Sequence, residues 1–325
     1  MVRLRRVEPY SSRGWTRVRR GTGFSYVHLD GSPAGRAERA RFADLAVPPA
    51  WRDVWIAEAP NAHIQAVGID AAGRRQYLYH PAWRERQDAE KFLRMAALIR
   101  ALPAARKLVV RDLADLERDE PGRPLVLAAA FRTLDLGALR VGSEESLATA
   151  KSRGLTTLLV RNAAAEDDTV RFRFRAKGGV AQNLMIPDAT LAAFVERNRT
   201  RAASARLYAW RDGRKFRALS PSDVNDDIRA RTAGDFTAKD FRTLRGTVVA
   251  AERLATIGPE TTTRAQTAAM RDAVIAASEA LGNTPTIAKA SYIDPRVFTA
   301  YRSGVVLPAG NIERALLELI EPDAS

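Results

Sequence analysis

The sequence predicts an α+β protein with two domains, a small β-rich domain over residues 1–86 and a mostly α-helical domain over residues 87–325. Three observations predict this architecture. Short runs that alternate between polar and apolar residues fill the first domain, and apolar residues recur at helical spacing from Gln87 onward. Alternating runs interrupt the helical pattern once, which predicts a small antiparallel β-sheet inside the second domain. The length of 325 residues, which is above the usual size of a single domain, also favours two domains.

The β-rich prediction for residues 1–86 depends on short runs separated by Gly, Pro and Asp, namely TGFSYVHL, IQAVGID and RRQYLYH. The segment DAAGRRQYLYH predicts a β-hairpin, with its turn at residues 70–73 and a strand after it. Four of the five tryptophans lie in this domain, where we expect them to fill a small core. They are Trp15, Trp51, Trp55 and Trp83.

The second domain begins with two helical patterns, QDAEKFLRMAALIRALPAARK and VLAAAFRTLDLGALR. GLTTLLV, TVRFRFRA and VAQNLMI then predict three strands of an antiparallel sheet, and ARLYAW predicts a further short strand. The remaining helices are predicted in PDATLAAFVERNR, SPSDVNDDIRAR, FTAKDFRTLRGTVVAAERLA and TRAQTAAMRDAVIAASEALG.

Composition excludes several classes of function. The chain has no cysteine, so disulfides, zinc ribbons and thiol catalysis are excluded. It has no apolar stretch of about 18 residues and no apolar segment near the N-terminus, so we expect a cytoplasmic, nucleoid-associated protein. The net charge of +14 predicts a polyanionic partner, with nucleic acid as the first choice. All three histidines lie before residue 81, so chemistry in the second domain must proceed without histidine.

Five polar residues of the second domain form a constellation suited to phosphodiester chemistry: Arg140, Lys177, Arg242, Asn283 and Tyr292. Arginines bind the non-bridging oxygens of a phosphate in pairs, an amide adds a neutral donor, a lysine can protonate a leaving oxygen, and a phenol can attack phosphorus.

Each of these residues taken alone also has an ordinary structural explanation. Arg140 fits a surface arginine, and Lys177 fits a hairpin lysine beside two glycines. Arg242 fits a solvated cation on an amphipathic helix, and Asn283 fits a helix C-cap. Residue chemistry does not choose among the three tyrosines of this domain, which are Tyr208, Tyr292 and Tyr301.

The motifs LRVGSEES, AKGG, KDFRT and SYIDP resemble, in combination, those of the compact poxvirus-like and bacterial type IB DNA topoisomerases. The resemblance runs from about residue 20 to about residue 305 and implies a fold like that of this family and of the tyrosine recombinases. It implies that Arg140, Arg242 and Asn283 bind the phosphate, that Lys177 is the general acid and that Tyr292 is the nucleophile. Many family members have histidine where this chain has Asn283. Both side chains donate one hydrogen bond to a phosphate oxygen, so we expect activity to be kept.

The resemblance also implies how the protein meets its substrate. RRQYLYH resembles the DNA-reading segment of the family, which places Gln76, Tyr77 and Tyr79 near the major groove of double-stranded DNA. An ordinary strand whose tyrosines pack against the tryptophans is the alternative. The family clamps a duplex as a monomer, with the β-rich domain on one side. It needs no ATP, no other cofactor and no metal, and it relaxes positive and negative supercoils through a 3′-phosphotyrosyl intermediate.

Three other functions compete with this one. A tyrosine recombinase shares the chemistry, but its second arginine typically follows a histidine three residues earlier, where this chain has Lys239. A β-rich first domain also favours the topoisomerase. A basic DNA-binding protein without catalysis would not need all five residues, and a metal-dependent nuclease would need clustered acidic residues that the sequence does not have.

Overall fold

The computed structural model describes residues 2–114 and 121–321. It divides into two compact units, Met1–Glu90 and Lys91–Ser325. The division falls inside a long helix that begins at Pro81, so helical backbone starts before the predicted boundary at residue 86. The α+β prediction is confirmed, because an antiparallel sheet precedes a mostly helical unit with small sheets. Within the described ranges, no helix is both long and apolar enough to cross a membrane.

The first unit is built on a five-stranded antiparallel sheet with the strand order β2-β1-β3-β4-β5. Its elements are β1 (Gly14–Arg20), β2 (Gly23–His28), α1 (Arg36–Asp44), β3 (Arg52–Ala57), β4 (Ile64–Ile69) and β5 (Arg75–Tyr79). Strands β4 and β5 form the predicted hairpin, in which Ile69 pairs with Arg75. Asp70 accepts hydrogen bonds from the backbone of Ala72 and Arg74, which closes the turn.

Both faces of this sheet carry apolar side chains because residues of β3 alternate between them. Val54 and Ile56 join one buried cluster with Trp15, whereas Trp55 and Ala57 join another on the opposite face. Trp51 packs at the edge of the first cluster. The remaining tryptophan of the unit, Trp83, packs its ring edge-on against His63 with 4.7 Å between ring centroids.

The second unit packs its helices around one continuous apolar core. The helices are α2 (Pro81–Leu113, which begins in the first unit), α3 (Arg123–Gly137), α4 (Glu144–Ala150), α5 (Ala189–Asn198), α6 (Pro221–Thr232), α7 (Ala238–Ile257), α8 (Thr263–Leu281), α9 (Pro285–Tyr292), α10 (Pro295–Arg302) and α11 (Ile312–Ile320). Helices α7 and α8 pack against each other and against α9. Capping is local: Ser220 and Asp223 form a capping box at the start of α6, as the motif SPSD predicts.

The sheet inserted in the second unit differs from the prediction in its first strand. It consists of β6 (Ala163–Glu166), β7 (Thr169–Arg175) and β8 (Ala181–Pro187), paired antiparallel in that order. The predicted strand GLTTLLV is wrong, because residues 155–157 and 160–162 form short 3₁₀ turns. Residues 155–160 are all buried, and such a continuous run lacks the alternation that a half-exposed strand needs. A second hairpin pairs β9 (Ala209–Asp212) with β10 (Lys215–Ala218), and β9 overlaps the predicted ARLYAW strand at Ala209 and Trp210.

Candidate active site

Arg140 lies in the turn that follows α3. The helix ends at Gly137, and Ala138 adopts a left-handed conformation with φ of 48° that redirects the chain. The carbonyl of Arg140 accepts a hydrogen bond from Leu155 N at 2.9 Å, which ties this turn to the 3₁₀ segment. The side chain is half-buried, and burial lowers the pKa of Arg140 from its ordinary value. An arginine keeps its charge despite such a shift, so Arg140 remains a cation here.

Arg242 is buried in the middle of the second unit, with only 4% of its surface exposed. Its Nη1 donates to Ala138 O at 2.6 Å and its Nη2 donates to Leu281 O at 2.9 Å. Both carbonyls lie at C-terminal helix ends, where intrahelical partners are lacking. Its Nε is buried and has no partner among the described residues. A solvated position on an amphipathic helix is therefore wrong for Arg242, and its Nε–H is available to a ligand.

Asn283 follows the left-handed Gly282, whose φ of 58° ends α8. The backbone N–H of Asn283 donates to Ser278 O at 2.9 Å, so the C-cap interpretation holds for its main chain. Its side chain has a second set of contacts. Arg140 Nη2 donates to Asn283 Oδ1, whereas Asn283 Nδ2 is buried without a partner in the described part of the chain. The amide therefore presents a donor beside two arginines.

Tyr292 is the last residue of α9, and α7 holds its backbone. Thr247 Oγ1 lies 3.2 Å from Tyr292 O and accepts a hydrogen bond from Asp294 N at 3.1 Å. Gly246 makes this approach possible, since a Cβ there would lie 2.6 Å from Tyr292 O. The guanidinium carbon of Arg242 lies 5.0 Å from the centroid of the Tyr292 ring. One helix therefore places both the phenol and a buried cation.

The charges around Tyr292 favour its phenolate. Burial raises the pKa of the phenol, but the charge and hydrogen bond of Arg242 lower it, and the charges of Arg140 and Lys239 lower it further. The cations prevail, so the pKa of Tyr292 lies below its ordinary value of 10.0. A phenol that loses its proton more readily is a better nucleophile near neutral pH.

The other two tyrosines of this unit serve as core residues. Tyr208 is fully buried, and its hydroxyl lies 2.6 Å from Thr133 Oγ1. Tyr301 is 1% exposed and donates its hydroxyl hydrogen to Gly258 O at 2.8 Å. Burial raises the pKa of both phenols, which is the opposite of the shift at Tyr292. Position and acidity therefore both favour Tyr292 among the three.

Lys177 occupies the turn between β7 and β8, as the AKGG motif predicts. Gly178 and Gly179 both have positive φ, 80° and 75°, which allows the chain to reverse within three residues. The side chain of Lys177 is exposed. The contacts given above join Arg140, Arg242, Asn283 and Tyr292, and none of them involves Lys177.

Lys239 is a further residue of this site, and sequence reasoning used it only to separate two families. It lies in the first turn of α7, three residues before Arg242 and therefore on the same side of the helix. Its charge contributes to the lowered pKa of Tyr292. The three-residue spacing of the two cations in KDFR was the signal that could have identified it.

The candidate DNA contacts of the first unit lie on β5, which is an edge strand. Tyr77 is 37% exposed, whereas Tyr79 packs against the cluster that contains Trp55, and the two rings stack at 5.9 Å. Gln76 lies on the opposite face and donates to Asp70 Oδ2 at 2.9 Å. Hydrogen bonds from the backbone and side chain of Arg74 lower the pKa of Asp70 to about 2. The carboxylate therefore stays ionised and holds the Gln76 amide.

Comparisons with known proteins identify the family of this chain. Residues 80–303 match the family model described as "Eukaryotic DNA topoisomerase I, catalytic core", which covers more than half of the chain. Residues 23–70 match "Bacterial DNA topoisomerase IB, N-terminal domain". The DNA topoisomerase 1B of Acanthamoeba polyphaga mimivirus is 28% identical over 244 residues, which cover 73% of this chain and 71% of the viral protein. The chain therefore belongs to the type IB DNA topoisomerase family.

Proposed function

We propose that this topoisomerase cuts and rejoins one strand of DNA through Tyr292, with Arg140, Arg242 and Asn283 as phosphate ligands and Lys177 as general acid. The observation that carries this proposal is the grouping of an acidified phenol with two arginines and an unpartnered amide nitrogen. Membership of the family makes DNA the substrate. The assignment of these roles to individual residues is ours.

The proposed reaction exchanges one phosphodiester for another. The phenolate oxygen of Tyr292 attacks the scissile phosphorus, the bond from phosphorus to the 5′ oxygen breaks, and its electron pair leaves with that oxygen. The ammonium of Lys177 gives this oxygen a proton, because a free alkoxide is too basic to leave readily. The 3′-phosphotyrosyl ester keeps the energy of the broken bond, so rejoining is the reverse reaction and no ATP is consumed.

The phosphate ligands act on charge that grows during this exchange. Phosphorus gains a fifth oxygen neighbour in the transition state, and its non-bridging oxygens carry more negative charge. Arg140 and Arg242 meet that charge with fixed cations, and Asn283 adds its Nδ2–H donors, which have no partner among the described residues. Since the Arg242 guanidinium is held by carbonyl groups at two helix ends, little reorganisation of this side chain is needed when DNA binds.

We also propose how the protein contacts DNA, its oligomeric state and its location. We infer that both units contact the duplex, with strand β5, which carries Gln76, Tyr77 and Tyr79, near the major groove, and that the protein acts as a monomer without metal or other cofactor. A nucleoid-associated, cytoplasmic location follows from a DNA substrate. Affinity is expected to fall steeply with salt, because contacts of lysine and arginine with phosphates release counterions.

The test is relaxation of negatively and positively supercoiled plasmid in EDTA without ATP, comparing wild type with Tyr292→Phe and, as a matched control, Tyr301→Phe. We expect the wild type and Tyr301→Phe to relax both substrates and to form a denaturant-resistant adduct with DNA. Tyr292→Phe should bind DNA but do neither. Relaxation by Tyr292→Phe would show that another tyrosine is the nucleophile, and a wild type that is inactive without Mg²⁺ would contradict the metal-free reaction.

A further inference from the structure

One face of strand β8 lies against the two segments that carry Arg140 and Asn283. Gln182, Leu184 and Ile186 share this face because side chains alternate along a strand, and all three are at least half-buried. At one end of the row, Leu184 and Ile186 contact Gly137. A Cβ on that glycine would lie 2.8 Å from Leu184 Cδ2 and 2.7 Å from Ile186 Cδ1. Gly137 ends α3, three residues before Arg140.

At the other end of the row, the carboxamide of Gln182 covers the backbone of Gly282. A Cβ built on Gly282 would overlap Gln182 Nε2, so any larger residue there would displace this side chain. Gly282 is the left-handed C-cap of α8 and directly precedes Asn283. Gln182 also lines a small cavity together with Arg140 and Arg242. The Gln182 side chain is therefore at the phosphate site, although no sequence motif identified it.

Gln182 belongs to the same β-ribbon as Lys177. It pairs with Phe174 of β7, and Lys177 stands in the turn that joins the two strands. That turn contains two glycines with positive φ, and its residues 177–180 are exposed. The position of this turn relative to the proposed phosphate site therefore depends on where strands β7 and β8 pack against the rest of the unit. Gln182 is the residue nearest the turn at which β8 meets the Asn283 segment.

We propose that Gln182 is a positioning residue for the general acid: it holds the β7–β8 ribbon against Gly282 so that Lys177 and Asn283 reach the same phosphate. This inference rests on the role proposed above for Lys177. It follows from the dependence of proton transfer on geometry, since a misplacement of about 1 Å can slow an enzyme by about 10²-fold. Gln182 itself needs no contact with the leaving oxygen.

The experiment measures single-turnover cleavage of two duplexes that differ at one atom, with oxygen or sulfur as the 5′ bridging atom of the scissile phosphodiester. A thiolate leaves without a proton because thiols are acidic, with a pKa of about 8.5 for cysteine. The variants are Gln182→Ala, Gln182→Met and, as a control from the exposed face of β8, Asn183→Ala. Lys177→Ala gives the response expected from complete loss of the acid.

We expect Gln182→Ala to slow cleavage of the oxygen duplex by about 10- to 100-fold while leaving the sulfur duplex within about 3-fold of the wild-type rate. Gln182→Met, which keeps the length of the side chain, should regain most of the rate, and Asn183→Ala should behave as wild type. Equal slowing on both duplexes by both Gln182 variants, or no slowing on either, would overturn the inference.

The same data separate this inference from the proposed function. If Lys177→Ala is slow on oxygen and restored on sulfur, the general acid is confirmed whatever Gln182 does. In that case, Gln182 variants without oxygen-specific slowing would refute only the positioning role. If sulfur does not restore Lys177→Ala, the acid role of Lys177 itself is refuted, and with it the premise of this inference.

Discussion

Arg242 and Lys177 are both cations of the candidate active site, yet the fold holds them in opposite ways. Arg242 is 4% exposed and donates to the carbonyl groups that end α3 and α8. Lys177 is exposed in a turn whose next two residues are glycines with positive φ. A phosphate ligand must keep one position throughout the reaction, and the helical core provides it. A proton donor must approach the leaving oxygen, and a surface turn leaves that approach free.

Removing Arg242 should cause the largest effect, and it should lower both the rate of DNA cleavage and the free energy of unfolding. Arg242→Ala is expected to slow single-turnover DNA cleavage by about 10³- to 10⁵-fold, the range found for arginines that stabilise phosphoryl transfer. It should also lower the free energy of unfolding by about 1–3 kcal/mol, because Ala138 O and Leu281 O lose their donor. Urea unfolding measures the second effect. An unchanged urea midpoint would show that the core does not depend on this guanidinium.

Removing Lys177 should separate activity from stability. Lys177→Ala is expected to slow cleavage by about 10²- to 10⁴-fold, the usual contribution of a general acid. Its free energy of unfolding should stay within about 0.5 kcal/mol of wild type, because the side chain is exposed. Lys215→Ala, which removes an exposed lysine from the other hairpin of the unit, is the control at saturating DNA. A loss of stability in Lys177→Ala would contradict the contrast with Arg242.

Asn283 is intermediate between the buried Arg242 and the exposed Lys177, since its backbone caps α8 while its amide nitrogen has no partner in the described part of the chain. Asn283→Ala should slow cleavage by about 10²-fold, because one donor to the phosphate is lost. Asn283→His should stay within about 10-fold of wild type, since histidine can donate the same single hydrogen bond. Cleavage rates at saturating DNA measure both. A histidine variant as slow as the alanine variant would show that the amide has another role, such as orienting Arg140.

The smallest predicted effect concerns pH and tests the contribution of Lys239. The charge of Lys239 lowers the pKa of Tyr292, so Lys239→Ala should raise it. Because the phenol must lose its proton to attack, a higher pKa shifts the rising limb of the pH–rate profile to higher pH. Lys239→Arg keeps the charge and should leave the limb in place. A limb that does not move in Lys239→Ala would mean that this lysine does not affect the phenol.

Sequence reasoning selected the candidate site residues through motifs but could not predict which contacts hold their side chains. It placed Arg242 on an amphipathic helix, where a cation is usually solvated. Its burial depends on two carbonyls that are 104 and 39 residues away in sequence, and local periodicity carries no information about such partners. The three tyrosines illustrate the same limit. Residue chemistry left the choice open, whereas the structure gives Tyr208 and Tyr301 hydrogen-bond partners within the core.

The fold itself was predictable where hydrophobic patterning was clear. Helices α2, α3, α5, α6, α7 and α8 and the β4–β5 hairpin follow from periodicity and turn residues, whereas α4 and α9 were not predicted. The strand prediction for GLTTLLV failed because residues 155–160 are all buried, and periodicity cannot assign such a continuous run to a strand. The close approach of Gln182 to Gly282 was equally invisible, since it joins a strand to a helix end 100 residues later. Long-range packing, not local propensity, decides such features.

The attachment of the Tyr292 backbone to α7 has a mechanical consequence. While a strand is open, the unwinding duplex exerts torque, and the proposed covalent link delivers that load to the phenol. The Tyr292 main chain passes it to Thr247 and Gly246, four or five residues along the same helix from Arg242. The proposed nucleophile, Tyr292, and the proposed phosphate ligand, Arg242, are therefore both supported by helix α7. Torque on the DNA should therefore move Tyr292 and Arg242 together, which preserves the alignment that rejoining of the strand requires.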